Sequence, residues 1–181
     1  MKPQTHLITY TQGFSLIELM VALAVMGVLL TGGYTALKNY LLNEDVRLIA
    51  HQLQSSLLMT RSEAVKRASD VYMIPSSTGY ENGWAISWNE NRNYDDCVDV
   101  TPEDDCLYVF QNDRPFKLTG LTTGVAGNKV EYNRQGRIPF GNSSFTIEIC
   151  DEDESSFVTK RTIEVSSNGF PKIVSEGSCE P

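Results

Sequence analysis

Gly13-Phe14-Ser15-Leu16-Ile17-Glu18-Leu19-Met20-Val21-Ala22-Leu23-Ala24-Val25-Met26-Gly27-Val28-Leu29-Leu30 is the stretch from which the rest of the chain is read. From Phe14 to Leu30 only Ser15, Glu18 and Gly27 break an apolar run. With Thr31 to Leu37 behind it, the stretch reaches the roughly 20 residues that a helix needs to cross a bilayer. The expectation is a hydrophobic helix over 14–37 that spans a membrane once. Glu18 stands out within it, because an acidic side chain at the centre of such a helix costs about 2.5 to 3.5 kcal/mol and is rarely left without a partner. Either it lies near enough to the helix end to reach headgroup water, or a cation answers it.

These residues resemble the amino-terminal signature of type IV pilins and type II secretion pseudopilins. The resemblance implies that a prepilin peptidase cuts after Gly13, on the cytoplasmic side of the apolar segment, and that the new terminus, Phe14, is N-methylated. It also supplies the partner for Glu18, the terminal amine of a neighbouring subunit met as helices bundle in a filament. Residues 1–13 then form a prepilin leader, with Lys2 as its one clear positive charge and Gln12 where a basic residue is frequent. An ordinary secretory signal would be cut beyond the apolar run at a small-x-small site. Thr31-Gly32-Gly33-Tyr34-Thr35-Ala36 has small residues in a poor pattern for that, and no cysteine lies nearby for lipidation.

A length of 181 residues allows one membrane helix and one modest domain. From Asn43 onward there are 22 acidic and 13 basic residues, a net charge of -9. Such a balance favours solubility and opposes general adhesion to phosphate backbones or anionic lipid. Cys97, Cys106, Cys150 and Cys179 all lie beyond the apolar segment, an even number suited to pairing in an oxidising compartment. Cys97 with Cys106 and Cys150 with Cys179 is the preferred pairing, since the first two are close in sequence and the second pair would pin the carboxyl-terminal tail. Closing loops of those sizes stabilises by roughly 3 and 4 kcal/mol in the chain-entropy model. A zinc site is disfavoured because no pair has C-x-x-C spacing.

After Gly32-Gly33 the pattern turns amphipathic. Val46, Ile49, Leu53, Leu57, Thr60 and Ala64 step by three or four, while Glu44, Arg47, Gln54, Arg61 and Glu63 fall elsewhere. The helix is expected to run over 38–68 as well, about 55 residues and roughly 80 Å from Phe14 at 1.5 Å per residue. Beyond Ser69 the period becomes two, giving short strands at Val71–Ile74, Trp84–Trp88, Leu107–Phe110, Lys129–Tyr132, Phe145–Ile149 and Arg161–Val165, with a last one at Lys172–Val174. Turns are expected at 77–79, 81–83, 133–136, 141–144 and 167–169. The longest irregular stretch, Asn89 to Asp105, reads as an acidic surface loop stapled by its own disulfide. The fold class is therefore α+β, a long amino-terminal helix laid on a mostly antiparallel sheet or pair of sheets over 69–181.

A second resemblance covers this domain. A long helix, the Gly83-Trp84-Ala85-Ile86 strand, the Asn133-Arg134-Gln135-Gly136-Arg137 turn, a Thr-Ile-Glu-Ile-Cys strand at 146–150 and a late Ser-Asn-Gly turn follow one another in the order of the GspH/FimT (FimU-like) group of minor pilins and pseudopilins.

The sequence holds little that reads as catalysis. Its two histidines are His6 in the leader and His51 on the helix, too few for a triad or clustered metal site in a mature chain. No phosphate loop or G-x-S-x-G elbow is present. Asp95-Asp96, Glu103-Asp104-Asp105 and Asp151–Glu154 lack EF-hand spacing and read as solvated loops. The expectation is a non-enzyme with no cofactor and no metal. Some FimT-like proteins take up DNA through a basic carboxyl-terminal region, but here that place holds Gly169-Phe170-Pro171-Lys172 followed by Glu176 and Glu180. Arg134 and Arg137 remain as a weak patch, and nucleic acid is not the expected partner.

The reading is a minor pilin of a type IV pilus that primes assembly at or near the tip, with a type II secretion pseudopilin as the alternative and a DNA-binding pilin behind it. Its implied partners are other minor and major pilins, the prepilin peptidase and the inner-membrane assembly platform. Its implied location is the bacterial inner membrane with a periplasmic domain, then the filament.

Overall fold

The computed structural model describes residues 13–98, 105–114, 116–119, 129–139, 144–151 and 157–179. Residues 1–12 of the expected leader, with His6, lie outside the described residues, as do Pro102, Glu103-Asp104, the turn residues 141–143, Glu152–Glu154 and Glu180. The chain divides into two units between Lys38 and Asn39.

Helix α1 spans Leu16–Arg67. Its part within the second unit packs in the way its periodicity dictates. Val46, Ile49, Leu53, Leu57, Thr60 and Ala64 are all buried to 2% exposure or less, joined by Ala50 and Ser56. Thr60 is accommodated there because its Oγ1 donates to the Ser56 carbonyl at 2.7 Å. The helix ends without a glycine. The Ser69 and Ala68 amides donate back to the carbonyls of Ala64 and Val65, and Ala68 takes φ +51°, a left-handed cap that costs an alanine about 1 kcal/mol.

Eight strands follow among the described residues: β1 (Val71–Ser76), β2 (Gly79–Ser87), β3 (Cys106–Gln111), β4 (Phe116–Thr119), β5 (Val130–Tyr132), β6 (Phe145–Asp151), β7 (Thr159–Val165) and β8 (Pro171–Ser178), with a short helix α2 (Tyr94–Val98) between β2 and β3. They form two four-stranded antiparallel sheets, in the orders β3-β2-β1-β5 and β4-β6-β7-β8. One continuous core joins the buried face of α1 to both sheets, with Trp84, Tyr132, Met73, Ile86, Ile147, Ile149 and Ile163 fully enclosed. Trp84 stacks on its cross-strand partner Phe110 at 4.2 Å between ring centroids.

Two sequence expectations need correction, and one strand went unread. The residues 81–83 are not a turn; they lie inside β2, where Gly83 at φ +131° lets the Phe110 carbonyl and the Tyr94 hydroxyl approach closer than a Cβ would permit. The stretch 89–105 is not merely a surface loop. Tyr94 and Cys97 of α2 are buried against Ile74 and Ala85, which closes the second face of β2 and explains why Ala85 is as buried as its neighbours Trp84 and Ile86. Finally, β4 has no counterpart in the sequence reading, because four residues between Pro115 and Gly120 carry too little alternation to register as a strand.

Cys97 is bonded to Cys106 and Cys150 to Cys179, each pair with Cα atoms 5.6 Å apart. The first staples α2 to the start of β3. The second holds the end of β8 to β6, where the Cys179 amide also donates to the Val158 carbonyl at 3.0 Å.

Candidate functional site

In the first unit, Gly13, Phe14 and Ser15 precede the helix, and Ser15 caps it. Its Oγ accepts the Glu18 amide at 3.2 Å, and its carbonyl accepts the Leu19 amide at 3.2 Å. A serine followed three residues later by glutamate is the spacing of a capping box, and a carboxylate in the first turn also complements the helix dipole. Glu18 therefore has a local role that the sequence reading did not assign. Its carboxylate is exposed and forms no ion pair among the described residues. Phe14 is 86% exposed, and every large apolar side chain described from Leu16 to Leu30 is more than half exposed. A helix apolar on all sides and bare on all sides has to be covered by lipid or by other helices.

Among the described residues no helix is long and apolar enough to cross a membrane. The fully described apolar run ends at Leu30 and extends about 22 Å from Leu16 at 1.5 Å per residue, short of the roughly 30 Å of hydrocarbon. The spanning segment expected over 14–37 thus rests on the sequence beyond that run.

In the second unit, the solvent face of α1 is mixed, with Arg47, Ser55, Ser62 and Lys66 exposed beside apolar side chains. Leu41, Leu48, Leu58, Met59 and Val65 are between 36% and 53% exposed, with His51 exposed among them.

Arg134 and Arg137 are exposed on one turn and have no acidic partner among the described residues. The turn's composition follows from packing. Asn133 Oδ1 accepts the amides of Gln135 and Arg137, each at 3.0 Å, and Arg61 Nε donates to the Gly136 carbonyl at 2.9 Å. A Cβ on Gly169, in the 167–169 turn, would sit 2.2 Å from the Gly136 carbonyl oxygen. The two turns singled out by the sequence thus meet backbone to backbone and tie β5 of one sheet to the β7–β8 connection of the other.

The acidic residues have structural partners. Asp96 Oδ2 accepts the Asn93 amide at 3.0 Å, and Asp105 Oδ2 accepts Asn89 Nδ2 at 2.8 Å. No cluster of three metal-binding side chains occurs among the described residues. On the outer face of the first sheet, burial, and then the carboxylates of Asp70 and Glu90, hold Glu131 above the usual carboxylate range. Burial and the charges of Glu131, Asp70 and Glu90 push the cross-strand neighbour Tyr72 up to about 12. An acid with a raised folded pKa disfavours the fold while both states are ionised, and the penalty disappears as pH falls through that pKa. Glu131→Gln is expected to raise the melting temperature at neutral pH by a degree or two, with the gain vanishing below about pH 4, where Glu131 is protonated folded or unfolded. Melting curves of both proteins from pH 4 to 8 check this, and a gain independent of pH contradicts it.

The family model described as type II transport protein GspH matches residues 50–169, about two thirds of the chain. The chain belongs to the GspH family. A model of the prokaryotic N-terminal methylation motif matches residues 9–34, the region of Gly13, Phe14 and Glu18. Crystal structures of the type IV minor pilin FimU of Pseudomonas aeruginosa share the fold. One has a TM-score of 0.53 at 16% identity over 74% of this chain and 99% of FimU, another 0.53 at 15% over 76% and 96%. The minor pseudopilin EpsH of the Vibrio cholerae type 2 secretion system gives 0.51 at 11% identity over 72% and 96%. No curated protein sequence matches significantly. This GspH-family chain is a subunit of the minor pilin and pseudopilin class, built on the α+β pilin-like fold, and the class consists of structural subunits rather than known enzymes.

Proposed function

We propose that this chain is a minor pilin of a type IV pilus, a non-enzymatic subunit that primes assembly and lies at or near the tip. The observation that carries the reading is the bare apolar stretch of α1 headed by the methylation motif. Such a surface is stable in water only when other helices or lipid enclose it. On this reading the prepilin peptidase cuts between Gly13 and Phe14, Phe14 is methylated, and the segment over 14–37 holds the subunit in the inner membrane as a single pass. The second unit then faces the periplasm until the assembly platform adds the subunit to other minor and major pilins. The Glu18 carboxylate answers the terminal amine of a neighbour, while its own amide is held by the Ser15 cap. The exposed apolar side chains of Leu41, Leu48, Leu58, Met59 and Val65 support the reading, because a partner subunit would cover them too.

A second reading is a pseudopilin of a type II secretion system, supported by the family model's own description and the likeness to EpsH. The acidic domain, with Glu176 and Glu180 following Gly169, speaks against a DNA receptor, although Arg134 and Arg137 remain available to phosphate.

The test is mass spectrometry of the mature protein from cells with and without prepilin peptidase, followed by Glu18→Ala in the natural host. The expected results are a methylated Phe14 terminus that requires the peptidase, and a variant that accumulates in the membrane but does not enter filaments. A retained leader, or normal assembly of the Glu18→Ala variant, sinks the reading. Loss of surface pili on deletion of the gene supports the pilus, and loss of protein secretion with intact pili supports the pseudopilus.

A further inference from the structure

A cleft of about 520 Å³ opens on the second sheet, at the end where β6 starts, β7 finishes and β8 begins. Its size falls within the roughly 300–1,000 Å³ of small-molecule sites. The register places Thr146, Glu164 and Lys172 side by side across β6, β7 and β8, while Asn168 and Phe170 from the 166–170 turn also line the cleft. Phe170 leaves 52% of its surface exposed there. The turn is held by its own bonds. The Ser166 hydroxyl donates to Asn168 Oδ1 and the Phe170 carbonyl, and the Phe170 amide donates to Asn168 Oδ1 at 3.2 Å. The ring is thus set on a fixed backbone, and Asn168 Nδ2 has no partner among the described residues. Glu164 and Lys172 form no ion pair among the described residues, although they are cross-strand partners.

We propose that this cleft binds a neutral carbohydrate, one sugar ring lying against Phe170 with its hydroxyls on Asn168, Glu164 and Lys172. The cleft sets donors (the Asn168 amide and the Lys172 ammonium) beside an acceptor (the Glu164 carboxylate), and a hydroxyl is the group that both donates and accepts. One positive and one negative charge leave the site without net charge, so neither a phosphate nor a polycation gains from entering it. An aromatic face carries negative quadrupole density, which attracts the polarised C–H face of a sugar. Thr146, Glu164 and Lys172 meet on the face of the sheet, and an extended peptide would instead have to pair with the backbone of the edge strand β8, an outcome the test below distinguishes. The proposal stands whether the subunit serves a pilus or a pseudopilus.

The test uses the full mature chain in a zwitterionic detergent without a sugar headgroup. Saturation-transfer NMR is recorded with glucose, galactose, N-acetylglucosamine, maltose and cellobiose. At least one is expected to bind at millimolar concentration. Phe170→Ala is expected to weaken it about tenfold and Phe170→Trp to preserve it, while Glu164→Gln weakens it by less. Melting temperatures of the three variants check that each is folded, as the exposed positions of Glu164 and Phe170 lead one to expect. The proposal is overturned if no saccharide gives a signal at tens of millimolar, if the signal survives Phe170→Ala, or if an unstructured peptide displaces the sugar from the cleft.

Discussion

Gly83→Ala is expected to lower the unfolding free energy of the domain by about 4 kcal/mol, the range reserved for a small set of severe core or backbone defects. At φ +131° a residue with a Cβ is strained, and here the Cβ would stand 2.3 Å from the Phe110 carbonyl oxygen and 2.7 Å from the Tyr94 hydroxyl. The oxygen belongs to the backbone of the adjacent strand, so it cannot swing away, and relief would require opening the β2–β3 ladder where Trp84 stacks on Phe110. Gly79 provides the control. It too has positive φ, +113°, but nothing lies within 4 Å of the point its Cβ would occupy, so Gly79→Ala suffers only the backbone strain of about 1–2 kcal/mol. Urea unfolding of the parent and both variants measures the difference. Equal losses at the two positions would place the whole cost in local backbone strain and remove the close approach as its cause.

Removing the Cys150–Cys179 bond with paired serines is expected to cost about 3.6 kcal/mol, against about 2.7 kcal/mol for the Cys97–Cys106 bond, because the chain-entropy loss grows with the logarithm of the closed loop. The separations are 29 and 9 residues. The two lesions should also differ in place. Loss of Cys150–Cys179 frees the carboxyl-terminal end of β8, an edge strand, whereas loss of Cys97–Cys106 loosens α2 over Ile74 and Ala85 and leaves the main core intact. Amide hydrogen exchange reads the location, and denaturant midpoints read the size. A larger loss from the shorter loop contradicts the account, and so does faster exchange in β8 when the shorter loop is cut.

The amino-acid sequence alone determined the features that follow from local periodicity and local chemistry. The buried face of α1 was legible because Val46, Ile49, Leu53, Leu57, Thr60 and Ala64 repeat at the helical period. The strands at 71–74, 107–110, 145–149 and 161–165 were legible because period two survives even in short segments. The stretch at Gly13–Leu30 was legible because a carboxylate near the start of an apolar run is expensive and therefore informative. Only the tertiary structure decided what depends on residues distant in the chain. Gly83 has the same composition cues in a turn as in a strand crossed closely by Phe110, so its neighbours had to be seen. The short α2 is held by a second small core and a disulfide rather than by its own five residues, which are too few to show a helical period. Gly136 and Gly169 each read as the glycine of an isolated turn, until the fold put the carbonyl of one against the α-carbon of the other. Backbone approach of that kind leaves no side-chain pattern, because the residue that permits it is the one without a side chain.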